Sequence, residues 1–133
     1  MKTFYFILIL SLALIGKSFS EITYLEILKN PTDLRLNLQY AKEQEKKAEY
    51  KSVIATLERL TNLYPKNVDL KLYLLSISIK TDSTEKTLNL IQEIQTSDQI
   101  SDDVKKQVAQ VFDDMNKKKI DKDAIAKKKK RED

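Results

Sequence analysis

The stretch AEYKSVIATLERLTNLYP, residues 48–65, decides the fold. Tyr50, Val53, Ile54, Leu57, Leu60 and Tyr64 recur at helical spacing and form one apolar face, while Lys51, Glu58, Arg59 and Asn62 fall on the other. Pro65 closes the segment, because proline has no N–H to give and drives the residue before it out of the helical region. Thirty-four residues before Pro65 stands Pro31, the only other proline of the chain. A period of that size belongs to stacked helix–turn–helix units.

Working outward, Leu34 to Ala48 reads as the helix that precedes this one, with Thr32 or Asp33 as its N-cap. The run Leu34 to Tyr40 alternates apolar and polar residues, as a strand would, and Val68 to Leu74 does the same 34 residues later. The helix formers of residues 40–48, YAKEQEKKA, and the lack of turn chemistry favour helices. Val68 to Lys80 is the next expected helix, capped by Asn67. It carries two stripes, Val68/Leu72/Leu75/Ile79 and Leu70/Tyr73/Leu74/Ile77, and a helix apolar on two sides is sandwiched between neighbours. Asp82 and Glu85 read as the start signal of a further helix, whose buried face is expected to carry Thr87, Leu88, Ile91 and Ile94. Ser101 to Met115 has Val104, Val108, Val111, Phe112 and Met115 on one face, with Asp102 and Asp103 at the positive end of the dipole. It reads as a terminal capping helix over residues 100–116.

At the other end, Ile22 to Leu28 reads as a partial helix over the open end of the first unit, with Tyr24, Leu25 and Leu28 on its apolar side. Residues 1–20 have an early lysine, an apolar run from Phe4 to Ile15, and Ser18 and Ser20 before a cleavage point, the layout of a signal peptide. An uncleaved anchor is the alternative, although the run is short for a bilayer span. Residues 117–133 are dense in charge and poor in apolar side chains, and a frayed helix or disorder is expected there.

The chain of 133 residues has a single glycine, Gly16, and neither cysteine nor histidine. That excludes disulfides, thiolate and histidine metal sites, and Ser/His or Cys/His nucleophile pairs. The net charge of +4 is unevenly shared: residues 117–133 hold nine basic and four acidic residues, whereas residues 21–116 hold thirteen basic and sixteen acidic. A mildly acidic body does not offer the broad basic surface that nucleic acid requires.

With Pro65 in the closing position, Ala41 as the small crossing residue, Tyr50 as the second-helix aromatic, and Leu57 and Leu60 as later core positions, residues 31–65 resemble a tetratricopeptide repeat. Asn37 departs from the first-helix aromatic, Val53 overfills a small position, and Ala48 replaces the turn glycine. The second unit, to residue 99, matches more loosely, with Leu75, Asp82, Thr87 and Gln99 at the small, glycine, small and proline positions. The resemblance implies an all-α fold of about two tetratricopeptide-like (TPR-like) helix–turn–helix repeats with a C-terminal capping helix, a right-handed α-solenoid. NPTDLRLNLQYA and ATLERLTNLYP also resemble exported TPR proteins of Gram-negative bacteria, including the periplasmic N-terminal domains of outer-membrane surface-protein assembly factors. The β-barrel of those factors has no counterpart in these residues, so the likeness implies a barrel-less relative or a truncated product.

In that family partners lie in the groove lined by the first helix of each repeat. The corresponding residues here are Arg35, Leu38, Lys42, Glu45 and Lys46, then Asp69, Leu72, Ser76, Ile79 and Lys80. The implied partner is a protein or peptide, an envelope or outer-membrane component, bound without cofactor or metal. Because arrays of this kind need about three repeats to be stable alone, self-association or docking is expected. The tail cluster Lys127, Lys128, Lys129, Lys130 and Arg131 is a candidate for peripheral contact with an anionic membrane, the competing reading being a solvated tail. Asp102/Asp103 and Asp113/Asp114 are adjacent pairs that do not converge on one substrate, so no enzyme is expected.

Overall fold

The computed structural model describes residues 21–132, and the expected signal peptide lies outside them. Six helices follow in order: α1 Tyr24–Lys29, α2 Leu34–Lys46, α3 Tyr50–Leu63, α4 Val68–Lys80, α5 Thr84–Thr96 and α6 Asp102–Glu132. There is no strand among the described residues, so the alternating runs at Leu34–Tyr40 and Val68–Leu74 are both helical. Each helix packs against its neighbours in chain order.

The boundaries keep the 34-residue spacing. Helices α2, α4 and α6 begin at Leu34, Val68 and Asp102, and α3 and α5 begin at Tyr50 and Thr84. The reason is local chemistry repeated in phase. Asp33 Oδ1 accepts from the Leu36 N–H at 2.9 Å, Asn67 Oδ1 from the Leu70 N–H at 3.3 Å, and Ser101 Oγ from the Val104 N–H at 3.4 Å. Each of these satisfies an amide that the first helical turn leaves without a partner. Asp33, rather than Thr32, is therefore the cap.

Helices α2 and α4 end alike. Ala48 and Asp82 take left-handed backbone, with φ of 59° and 57°. Around them Glu49 N donates to Gln44 O and Ser83 N to Ser78 O, both at 3.0 Å, while Ala48 N reaches Glu45 O and Asp82 N reaches Ile79 O. Both turns are Schellman endings built without the usual glycine. Asp82 thus ends α4 and does not cap α5, which starts after Ser83 with no side-chain cap. The Asp82/Glu85 start signal misplaced this boundary because one residue closes one helix while the next opens the other.

The core repeats on the same interval. Leu74 and Val108 occupy matching buried positions in the main core, while Tyr40, their counterpart in the first unit, is buried in a smaller cluster with Ile22 and Ile27. Val53 and Thr87, Leu57 and Ile91, and Leu60 and Ile94 make three further buried columns. Burial of an aliphatic side chain of this size contributes about 1.5–3 kcal/mol, so these columns hold the hairpins together. In α5 Leu88, expected on the buried face, is 43% exposed, and Leu90 is buried instead. The first unit has one further lock. Asn37, fully buried, donates to Asp33 O at 2.7 Å and Asn30 O at 3.2 Å, and accepts from Arg59. Arg59 also donates to Pro31 O, and the Tyr64 hydroxyl to Thr32 O.

Both ends depart from the sequence reading. In α1 the expected apolar side is the outer one: Tyr24, Leu25 and Leu28 are 61%, 67% and 56% exposed, while Ile22 and Ile27 are buried with Tyr40. A helix of six residues presents about one side chain to its neighbour, and the bond from Ile22 N to Glu43 Oε2 at 3.0 Å fixes which one. At the other end, α6 does not stop near residue 116 but continues to Glu132, with residues 116–132 exposed throughout. In the 34-residue register, Asp121 and Lys128 fall where Val53/Thr87 and Leu60/Ile94 are buried, and only Ile125 matches its column. Folding this segment back would bury charge, whereas continuing straight keeps it solvated. Acids at Asp113, Asp114 and Asp123 stand four residues before Lys117, Lys118 and Lys127, the favourable order for an exposed helix.

Candidate partner-binding groove

Helices α2 and α4 carry the ten expected groove residues, which fall into four groups. On α2, Arg35, Leu38 and Lys42 line an open hollow of about 510 Å³ together with Leu34 and Gln39. The two leucines are half-buried, and the cations at its rim are exposed. Between α4 and α6, Leu72, Ser76 and Ile79 share a slot of about 190 Å³ with Leu75. Its other wall is Val104, Gln107, Val108 and Val111 of α6.

The third group is engaged in contacts between helices. Glu45 accepts from the Tyr73 hydroxyl at 2.6 Å and lies 3.5 Å from Lys80 Nζ, which also sits 5.4 Å from the centre of the Tyr50 ring. These contacts tie α2, α3 and α4 together, so Glu45 and Lys80 act first as braces. Burial raises the Tyr73 phenol pKa above its ordinary value, and the hydrogen bond and negative charge of Glu45 raise it further. Lys46 and Asp69 are exposed and stand outside the ion pairs of the described residues.

The sequence reading missed Tyr73 and the whole α6 wall. The signal was present: Ser101 lies 34 residues beyond Asn67, which extends the register into α6 and puts Val104, Gln107, Val108 and Val111 at positions matching Leu70, Tyr73, Leu74 and Ile77. A wider hollow, about 690 Å³, lies between α3 and α5 and includes Glu58, Glu85, Lys86 and Glu93, with Lys86 paired to Glu58. Among the described residues no group of three or more metal-ligating side chains is found. Asp102 and Asp103 occupy the first turn of α6, exposed, and Asp113 and Asp114 are exposed further along it. Lys127, Lys128, Lys129, Lys130 and Arg131 lie in the exposed end of α6. No helix of the described residues is long and apolar enough to cross a membrane.

Comparison with protein-family models, curated proteins and solved structures finds no match.

Proposed function

We propose that this chain is an exported, non-catalytic adaptor of tetratricopeptide type, a short right-handed α-solenoid that holds a protein or peptide partner along α2, α4 and the first half of α6. The observation that carries the reading is the recurrence, at 34-residue intervals, of helix caps at 33, 67 and 101, left-handed turns at 48 and 82, and buried core columns. Stacked units of this period leave one continuous face for a partner. Export rests on the layout of residues 1–20, and an envelope assembly is the setting implied by the sequence resemblance.

The test is site-specific photo-crosslinking in the native envelope. A crosslinker replacing exposed Lys42 or Ser76 should yield adducts, whether with another protein or with a second copy of the chain. One replacing Asn62 or Asn89, on the α3–α5 side, should yield none. Adducts confined to the second pair would place the partner on the wrong face and overturn the reading.

A second reading is favoured by one observation, the continuation of α6 to Glu132 with nine basic side chains between Lys117 and Arg131. It is a membrane-peripheral role in which this helix lies near an anionic surface, each basic residue there contributing about 1 kcal/mol. Removal of residues 117–133 should then abolish co-sedimentation with phosphatidylglycerol vesicles, and undiminished binding would eliminate it.

A further inference from the structure

The first-position helices face one another across two seams, α2 to α4 and α4 to α6, and the 34-residue offset allows them to be compared position by position. In the first seam Tyr73 reaches Glu45, and its ring and hydrogen bond close the gap. In the second, Gln107 stands where Tyr73 stood and Ile79 where Glu45 stood. Glutamine is the smaller side chain and isoleucine offers it no acceptor. The seam stays open as the 190 Å³ slot, walled by Leu72, Leu75, Ile79, Val104, Val108 and Val111. A cavity of about 150 Å³ lined by aliphatic residues takes up a benzene ring, so this slot has room for one aromatic side chain. The molecule itself places an aromatic ring at the equivalent point of the other seam.

The charges carried by the first-position helices on either side of α4 select what accompanies that ring. Arg35, Lys42 and Lys46 fall on one face of α2, exposed and outside the ion pairs of the described residues. Glu45, the acid nearest them in sequence on that face, is held by Tyr73 and Lys80. On the far side, the α6 residues matching Asp69, Leu72, Ile79 and Lys80 of α4 are Asp103, Lys106, Asp113 and Asp114, a net negative set. A bound segment therefore meets positive charge towards α2 and negative charge towards α6.

We infer that the α4–α6 slot is an anchor pocket for one aromatic side chain of a partner peptide whose acidic residues lie along Arg35, Lys42 and Lys46. The inference rests on the groove reading above and narrows its partner. Neighbouring helices are spaced by about 10 Å, and the slot lies beyond α4, one and a half spacings or about 15 Å from α2, which about four to five residues of extended chain cover. The recognised pattern is an acidic residue about four to five positions from an aromatic one.

The experiment is an NMR titration of the full chain with the capped peptide Glu-Asp-Ser-Ser-Ser-Phe-Ser, and with the same peptide carrying serine in place of phenylalanine. The phenylalanine peptide should shift the methyl signals of Leu72, Ile79, Val104 and Val111, and the serine peptide should bind about tenfold or more weakly. Gln107→Tyr combined with Ile79→Glu rebuilds the closed seam and should weaken the phenylalanine peptide to the level of the serine one. Val111→Trp, at the exposed rim, serves as the plug if the double variant loses its dispersed spectrum. If both peptides perturb Arg35, Lys42 and Lys46 equally and the plug changes nothing, the anchor pocket is overturned while the groove reading stands. If neither peptide perturbs α2 or the slot, the anchor pocket is overturned and the groove reading loses its support for this class of partner.

Discussion

The turns that lead into α2 and α4 have the same length, a proline at the same position and a side-chain cap, yet only the first is locked from behind. There, Asn37, Arg59 and Tyr64 converge on the carbonyls of Asn30, Pro31, Thr32 and Asp33. The corresponding residues of the second unit are Lys71, Glu93 and Asp98, and none of them bonds back to its turn. Closely similar backbones are thus held by different means: a buried polar network in one unit, the cap and apolar columns in the other. The 34-residue period specifies where chain direction changes, while unit-specific polar residues decide how firmly each turn is held.

Removing the lock should break the comparison most strongly. Asn37→Ala leaves buried carbonyls and the Arg59 guanidinium without their partner, and should cost about 3 kcal/mol. Lys71→Ala, at the equivalent position, should change stability by less than about 0.5 kcal/mol. Urea denaturation of both variants gives the contrast, and equal losses would show that the network contributes nothing specific to the first unit.

The two left-handed turns come next. Ala48→Gly relieves an Ala in the αL region and should stabilise by up to about 1 kcal/mol, whereas Asp82→Gly should gain less, because aspartate tolerates that conformation better. Thermal melts that rank the two in the opposite order would mean that Asp82 is the more strained position. A smaller effect is expected in the second core column. Thr87 Oγ1 is buried with no hydrogen-bond partner, while Val53 fills the matching site of the first unit. Thr87→Val keeps the shape and removes the unsatisfied hydroxyl, so it should stabilise by about 1 kcal/mol or less; a loss of stability would reveal a partner for that oxygen.

The two seams give the last contrast. The Tyr73 phenol is held protonated in the folded state, by burial first and by Glu45 second. Its folded pKa therefore lies above the ordinary value of about 10, so the native chain binds more protons than the unfolded chain in alkali. This contribution to stability is complete below pH 10 and declines as the pH rises above it. Tyr73→Phe should flatten the alkaline limb of a stability-versus-pH curve. Gln107→Ala, in the open seam, should leave that limb unchanged.

Most of the scaffold was legible in the residues. The spacing of Pro31 and Pro65, the caps at Thr32 or Asp33 and at Asn67, and the sandwiched pattern of α4 located α2, α3 and α4 before any packing was considered, and apolar spacing marked the other three helices of the described residues. These features are local, since a cap, a proline or an apolar stripe acts within a turn or two of itself. The groove was legible in part. Leu72, Ser76 and Ile79 do line a slot, but its second wall belongs to α6, some thirty residues away in sequence.

The sequence by itself determined the helical class, the 34-residue register and the charge of the two ends, because each is written in local chemistry or simple composition. Tertiary structure alone decided which side of α1 is buried, that Glu45 and Lys80 brace the stack, that Tyr73 plugs one seam while the next stays open, and that α6 runs straight to Glu132. Those outcomes depend on what a side chain meets across a gap, and that is set by packing between helices rather than by the order of residues within one.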